Sequence, residues 1–403
     1  MKNLAEKGPA RCDTTAQLLL LLARDELPSE LIPRVLKLCD GISDWQELFR
    51  LSANNASLPF VYKHLFALKP ASIPEGLLQD LRLVAMSQTF KAMKLTSAMA
   101  SFHRDCVKPV NASHAYMKGP ALAQRFYKDP AMRSCSDVDI LVAEVDYAKV
   151  ARLAFQQGYR FLLDPKTGTF VTEEQDLSFV IRHADVISMF DQDNIHFELH
   201  RYIEKTTPIF PVSRILKETH QMSVGGQKIQ TLSTAWHFVY ITYHHSRHFW
   251  SRLHWVADLH ALASHPTFDS NEVLTLATEV GLRPTVDAAI EFARLTSVPE
   301  EWSTNLGQTP GGIFLDACLR GLPGDSAFEV ESWDAMFLFD FGDQWQFDSN
   351  RKFLFWGQSA MRRIQPNVYQ YLERRRPRSQ EWIYYIQNLK ILADNLTKRL
   401  GAH

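Results

Sequence analysis

The sequence DVDILV, at residues 137–142, is the strongest local indication of the architecture of this chain. In an extended strand successive side chains point to opposite faces, so Asp137 and Asp139 share one face and apolar side chains cover the other. Two neighbouring carboxylates repel each other and are costly to desolvate unless a cation neutralises them. Mg²⁺ suits this arrangement, because it binds one or two carboxylates together with phosphate oxygens. The stretch therefore predicts a β-strand that carries a magnesium site.

A third acidic residue lies on a later predicted strand, IHFELH at residues 195–200. Apolar and polar residues alternate there, so Glu198 faces the same way as His196 and His200. Two acids on one strand and one on another form the layout of a metal-dependent phosphoryl-transfer site. We expect the two histidines to orient the Glu198 carboxylate through hydrogen bonds and not to act in catalysis directly.

A Lys-Gly-Pro turn precedes the acids and opens a predicted helix over residues 120–127. Proline at the first helical position, with glycine before it, favours a helix start. Gly119 lets a phosphate approach the backbone, and the free N–H groups and dipole of the helix start favour an anion. Lys118 adds a positive charge, and we expect Arg133 and Ser134, just before the acids, to add further phosphate contacts.

These segments together resemble the signature of a known protein family. The segments MKGPALA at 117–123, YKDPAMR at 127–133 and DVDILV at 137–142 are similar to that of a largely uncharacterised nucleotidyltransferase family. That family belongs to the DNA polymerase β-like superfamily. The later segment FELH is similar to the family's segment for the third acid, which is more often Asp-Leu-His. The resemblance extends over roughly residues 40–260.

The resemblance implies in-line transfer of a nucleotidyl group from a nucleoside triphosphate, foremost ATP. Asp137 and Asp139 would hold Mg²⁺, with Mn²⁺ as an alternative, on the triphosphate, and Glu198 would join them around a second ion or act as general base. Lys118 and the Gly119 amide would stabilise the phosphates as pyrophosphate leaves. The acceptor stays open, and it is a small molecule, a peptide product, a protein or a tRNA end.

The change of hydrophobic period along the chain predicts its organisation. Residues 1–108 and 233–403 have helical patterns, whereas residues 109–232 mix strands with helices. We therefore predict an α+β fold, in which a small mixed-sheet nucleotidyltransferase core is flanked by N- and C-terminal helical regions. Within the core we predict strands at 137–142, 177–183 and 195–200, and helices at 120–127 and 146–157.

Composition limits the partners and the compartment. The formal net charge of −1 shows no basic excess for a long nucleic acid. The five cysteines include no Cys-x-x-Cys pair, which is typical of reduced thiols in a cytoplasmic protein. The apolar run at 18–22 is too short to span a membrane and precedes no cleavage site. We expect a cytoplasmic protein without a membrane partner, and its oligomeric state stays open.

Two further histidines, His244 and His248, lie one helical turn apart, a spacing that can chelate zinc. No His-Glu-x-x-His motif or nearby cysteine completes such a site. We interpret the pair as structural or substrate-contacting residues on a wall shared with Trp250, Trp255 and Asp258.

Three classes of function are therefore compatible with the sequence. The first is a nucleotidyltransferase that acts on one of the acceptors above. The second is a metal-dependent phosphotransferase that uses the same acids to deliver the γ-phosphoryl group. The third is a catalytically silent protein that binds a nucleotide or a partner.

Overall fold

The computed structural model describes residues 10–203, 209–324, 361 and 364–400. The chain divides into two compact units, each assembled from separate stretches of sequence. The helical unit comprises Met1–Thr96, Lys118–Cys135 and Ser233–Asp348. The sheet unit comprises Ser97–Met117, Ser136–Leu232 and Ser349–His403. The three consecutive regions expected from the sequence stay a prediction.

The sheet unit is built around an eight-stranded mixed sheet of order β4-β3-β5-β6-β2-β1-β8-β7. Its strands are β1 (His114–Tyr116), β2 (Asp137–Val142), β3 (Arg160–Asp164), β4 (Thr169–Phe170), β5 (Val186–Phe190), β6 (His196–His200), β7 (Thr219–Val224) and β8 (Gln227–Leu232). The pairs β2–β6 and β1–β8 are parallel, and the other neighbours are antiparallel. This sheet and the helices that accompany it confirm the predicted α+β class.

Among the described residues, five helices precede β1, and the others lie between the strands or follow β8. The helices in this part of the chain are α1 (Thr14–Leu22), α2 (Ile32–Asp40), α3 (Trp45–Asn54), α4 (Leu58–Leu68), α5 (Glu75–Phe102), α6 (Gly119–Phe126), α7 (Glu144–Gln156), α8 (Glu174–His183), α9 (Val212–Ile215), α10 (Thr234–Arg247), α11 (Leu253–Ala263), α12 (Ser270–Val280), α13 (Arg283–Leu295), α14 (Trp302–Asn305), α15 (Pro310–Gly321), α16 (Val368–Glu373) and α17 (Trp382–Leu400). The boundary between the two units falls within α5. Within the described residues, none of the helices combines the length and the apolar character needed to cross a bilayer.

Strand β2 lies near the middle of the sheet, between β1 and β6. The predicted strand at 137–142 is therefore confirmed with its full length. Val138, Ile140, Leu141 and Val142 are all completely buried. The second half of the strand has apolar side chains on both faces. Polar and apolar residues therefore alternate only around the two aspartates. The predicted helices at 120–127 and 146–157 are also confirmed, as α6 and α7.

The predicted strand at 177–183 is wrong, because these residues form the second half of α8. Leu177, Val180 and Ile181 are buried at the i, i+3, i+4 spacing of one helix face. Phe179 of the same helix stacks on Tyr371, with 3.9 Å between the ring centroids. A run of apolar residues this short fits either a buried strand or a buried helix face, and packing against a distant part of the chain decides between them.

Candidate functional site

The three predicted acids lie on the adjacent strands β2 and β6. These strands run parallel, and their register pairs Asp137 with His196 and Asp139 with Glu198. Residues paired across neighbouring strands point to the same face of a sheet, so these four side chains share one face. His200 follows Glu198 by two positions and therefore lies on that face as well. The sheet thus gathers three carboxylates and two imidazoles in one place.

The side-chain donor atoms form two overlapping groups. In one group the ligand atoms of Asp137, His196 and Glu198 all lie within 4.8 Å of one another. In the other the same limit of 4.8 Å holds for Asp139, Glu198 and His200. Glu198 belongs to both groups, so its carboxylate links the two aspartates. We call these five residues the carboxylate cluster.

The carboxylate cluster has a buried end and a partly exposed end. Asp139 is 1% exposed and His200 is 5% exposed. The Glu198 side chain retains 29% of its exposure, and Asp137 is also only half-buried. A ligand that arrives from solvent would therefore meet Asp137 and Glu198 first. Asp139 would contribute its charge from the buried side.

His200 lies between two of the carboxylates. Its Nε2 atom is 3.1 Å from Asp139 Oδ1 and 3.2 Å from Glu198 Oε2. Burial acts to lower the pKa of His200, but the hydrogen bonds to Asp139 and Glu198 outweigh it and raise the pKa to about 9. The imidazolium therefore supplies a positive charge where the two carboxylates approach each other. The sequence predicted the bond to Glu198, but it gave no sign of the bond to Asp139, which depends on the β2–β6 pairing.

His196 is held from the neighbouring strand β5. Its Nε2 atom lies 2.6 Å from Ser188 Oγ. Its ring stacks on Phe190, with 4.8 Å between centroids and 21° between the planes. The antiparallel β5–β6 register pairs Phe190 with His196, which brings these rings together. His196 is thus oriented at the half-buried end of the cluster, where Asp137 lies.

The donor set of the carboxylate cluster fits a divalent cation. Carboxylate oxygens are the ligands that Mg²⁺ prefers, and they also suit Mn²⁺. Imidazole nitrogens extend the set toward transition metals. Asp137, Asp139 and Glu198 are the oxygen donors that would hold Mg²⁺ or Mn²⁺, and His196 and His200 lie beside them.

The predicted phosphate-binding turn begins α6, in the helical unit. Gly119 has a φ of +53°, in the left-handed region that favours glycine. Pro120 follows it inside the first turn of the helix. The Lys118 Nζ atom lies 6.0 Å from the centroid of the Tyr240 ring. The backbone thus adopts the conformation that the Lys-Gly-Pro sequence favours.

Arg133 and Ser134 were expected to contact phosphate. Among the described residues, both side chains bond to other protein groups. The buried Arg133 guanidinium donates from Nε and Nη2 to the two oxygens of Asp258, at 2.6 and 2.8 Å. Its Nη1 donates to the Gly119 carbonyl at 3.3 Å. Ser134 Oγ donates to Gln88 Oε1 at 2.9 Å. Arg133 therefore fixes the predicted phosphate-binding turn by its hydrogen bond to the carbonyl of Gly119.

Asp258 is the centre of a buried polar network in the helical unit. It also accepts a hydrogen bond from the Tyr127 hydroxyl at 2.6 Å, and His245 Nε2 lies 3.3 Å from its other oxygen. Burial acts to raise the pKa of Asp258, but the Arg133 charge and hydrogen bonds hold it far below its usual range. Burial lowers the pKa of His245 to about 4, so this imidazole is neutral at pH 7. The sequence predicts Asp258 beside His244 and His248, but it does not predict the ion pair of Asp258 with Arg133.

His244 and His248 lie at the end of α10, with 4.9 Å between their ring centroids. Among the residues that the structure describes, the groups of three metal-ligand side chains are the two that share Glu198. The described residues therefore supply no third ligand for a zinc site at His244 and His248. Their position beside Trp255, whose ring centroid is 5.8 Å from that of His248, agrees with a packing role.

Comparison with known proteins identifies the class. The model of a family described as "Uncharacterised nucleotidyltransferase" matches residues 42–297. The chain belongs to this family, which confirms its resemblance to an uncharacterised nucleotidyltransferase family and supports a general nucleotidyltransferase role.

A solved structure and the curated proteins add little to this family match. The chain is similar to the crystal structure of an antigenic nucleotidyltransferase-like protein from Paracoccidioides brasiliensis, with 15% identity, 51% of this chain and 91% of that chain covered, and a TM-score of 0.27. No curated protein matches the chain significantly.

Proposed function

We propose that this protein is a metal-dependent nucleotidyltransferase of the DNA polymerase β-like superfamily. It would transfer a nucleoside monophosphate from a nucleoside triphosphate, foremost ATP, to an acceptor, with release of pyrophosphate. The observation that carries this proposal is that Asp137, Asp139 and Glu198 lie on two adjacent parallel strands, with Glu198 in one donor group with each aspartate. The family match at residues 42–297 supports the same chemistry independently of the geometry.

Residues of the carboxylate cluster would bind the cations and accept the proton. Asp137 and Asp139 would hold a divalent ion that screens the charge of the triphosphate, and Glu198 would join them around a second ion that stabilises the attacking oxygen. Glu198, at the partly exposed end, is suited to accept the proton of the acceptor hydroxyl. The hydrogen bonds of His200 to Asp139 and Glu198 fix both carboxylates.

The bond changes follow from this arrangement. The acceptor oxygen attacks the α-phosphorus in line with the bond to the bridging oxygen, and that bond breaks. Pyrophosphate leaves with the electron pair, and the hydroxyl proton passes to Glu198. From the sequence, Lys118 and the Gly119 amide are proposed to bind the phosphates of the nucleotide. Arg133 supports this step by holding the Gly119 carbonyl.

The same acids would also serve a phosphotransferase. The decisive experiment therefore identifies which products form from labelled ATP. With water as the acceptor, nucleotidyl transfer yields AMP and pyrophosphate, whereas γ-phosphoryl transfer yields ADP and phosphate. We expect the full-length protein with Mg²⁺ to form AMP from α-labelled ATP and to transfer the α-label to acceptors. An Asp139→Asn sample purified in parallel measures contaminating activity. Formation of ADP instead would favour the phosphotransferase, and ATP binding without any product would favour a silent binding protein.

We expect Lys118→Ala to weaken ATP binding by about 10-fold, because a charged contact to phosphate is lost. Adenosine binding should change little, since the proposed partner of Lys118 is phosphate and not the base. Calorimetric titration of both ligands checks this difference. Lys149→Ala is a matched control, because Lys149 is 60% exposed and pairs with Asp146 on a surface helix. An equal loss for ATP and adenosine would assign Lys118 a structural role.

A further inference from the structure

A second candidate site lies wholly within the helical unit. It is a cavity of about 430 Å³, which is within the size range of small-molecule sites. Its walls come from the end of α1, the end of α6 and the last turns of α11 with the loop that follows. Its lining includes Arg24, Asp25, Phe126, Lys128, His260 and Ser264.

Arg24 is the unusual residue of this cavity. It is only 3% exposed, and charged residues are rarely buried to this extent unless they are paired. Its Nη1 and Nη2 atoms both donate to one neutral oxygen, Ser297 Oγ, at 3.2 and 3.3 Å. Its Nε atom has no hydrogen-bond partner among the described residues. Arg24 is thus one of the residues that line the cavity, and its guanidinium forms no ion pair with a carboxylate among the described residues.

The position of Arg24 is fixed by its backbone. Its N–H donates to the Leu22 carbonyl at 2.8 Å, at the end of α1. Its own carbonyl lies 2.8 Å from His64 Nε2. These bonds fix the backbone, and the two bonds to Ser297 Oγ orient the guanidinium before any ligand arrives, which lowers the entropic cost of binding.

The acids near the cavity are already paired with other groups. Asp25 Oδ1 lies 2.7 Å from Lys63 Nζ, and its Oδ2 accepts from the Lys128 backbone N–H at 2.7 Å. Glu26 pairs with Lys128 Nζ at 2.5 Å. Burial lowers the pKa of His260 well below its usual range, so His260 adds no charge.

Arg24 itself keeps its charge. Burial lowers its pKa to about 10, with the charge of Glu30 opposing this effect, so the guanidinium is still protonated at pH 7. The charge of Glu30 acts on Arg24 without a hydrogen bond or an ion pair between the two side chains.

We propose that this cavity binds a small molecule that carries an oxyanion, either a phosphate or a carboxylate, and that this oxyanion pairs with Arg24. The planar fork of a guanidinium matches the geometry of both groups. The volume exceeds that of the anion alone, and Phe126 with the neighbouring prolines offers an apolar wall for the rest of the molecule.

This site is distinct from the proposed nucleotidyl-transfer site. All the lining residues belong to the helical unit, whereas the carboxylate cluster belongs to the sheet unit. The phosphate-binding turn is at the opposite end of α6, an eight-residue helix of about 12 Å, from the wall that Phe126 provides. The inference therefore does not depend on the proposed function.

The test measures binding of two probes, inorganic phosphate and benzoate, to the full-length protein by calorimetry. Every variant carries Lys118→Ala as well, so that the phosphate-binding turn does not contribute. We expect Arg24→Gln to raise the Kd of the bound probe by about 10-fold or more. Arg283→Gln is the matched control, because Arg283 is an exposed arginine of the same unit that pairs with Asp287, and it should leave the Kd unchanged. Tighter binding of phosphate or of benzoate tells which oxyanion the site prefers, and either result supports the proposal.

A second variant covers the case in which Arg24→Gln does not fold. Ser264 is exposed and lines the cavity, so Ser264→Trp should fill the space and abolish probe binding while Arg24 is retained. The proposal is overturned if neither probe binds the protein that carries Lys118→Ala alone at millimolar concentration. It is also overturned if the folded Arg24→Gln and Ser264→Trp variants bind both probes as the parent does.

Discussion

Asp139→Asn is expected to lower the rate of nucleotidyl transfer by about 10³-fold or more while the chain stays folded. Asparagine keeps the volume of aspartate but loses the charge that a divalent ion needs, and such an ion supplies several kcal/mol of transition-state stabilisation. Asp139 lies at the buried end of the cluster, where solvent cannot replace the missing charge. Turnover of ATP in the presence of Mg²⁺ measures the effect, with urea unfolding as the check on folding.

Glu198→Gln is expected to differ from Asp139→Asn in its effect on ATP binding. It should also suppress turnover strongly, but ATP binding should remain close to that of the parent, because Asp137 and Asp139 still hold the nucleotide-bound ion. Asp193→Asn is the matched control, since Asp193 is an exposed acid in the turn before β6. If the Asp139 and Glu198 variants bind Mg²⁺-ATP and react as the parent does, the carboxylate cluster is not the active site.

Asp258→Asn is expected to reduce the free energy of unfolding by about 3–5 kcal/mol, the usual cost of removing one partner from a buried ion pair. The substitution keeps the shape of the side chain but leaves the Arg133 guanidinium buried without a counter-charge. Arg133 is only 4% exposed, and Asp258 is fully buried. Urea unfolding of the full-length protein measures the change.

Two further variants separate the ion pair from simple packing. A double substitution, Arg133→Met with Asp258→Asn, should recover part of the lost stability, because it removes the unpaired buried charge while the amide oxygen can still accept from the Tyr127 hydroxyl. Asp287→Asn breaks an exposed pair with Arg283 and should cost no more than about 1 kcal/mol. A loss for Asp258→Asn no larger than that of the exposed control would contradict the structural role of the network.

Local pattern predicted the parts of the fold that depend on neighbouring residues. The alternation around Asp137 and Glu198 predicted β2 and β6, and the Lys-Gly-Pro turn predicted the start of α6. The segment at 177–183 failed because its apolar residues fit two periods, and the aromatic contact of Phe179 with Tyr371 lies almost two hundred residues away in sequence.

The contacts between distant residues were outside the reach of sequence pattern. Nothing local indicates that β2 and β6 are parallel neighbours, which is what brings His200 to Asp139. Arg133 was expected to contact phosphate because it precedes the acids, yet its partner Asp258 lies 125 positions further along the chain. A charged residue in the apolar sequence of α11 is the one signal that could have suggested a buried partner.

The bond between Arg133 and Asp258 also limits how the motif-bearing stretch can be cut out or transplanted. A shortened polypeptide that ended after β8 would keep the Lys-Gly-Pro turn and all three acids, but it would lack α11. Arg133 would then lose the carboxylate that fixes it, and Gly119 would lose the donor that holds its carbonyl. A minimal engineered fragment must therefore extend through Ala263, and sequence motifs alone would set its end too early.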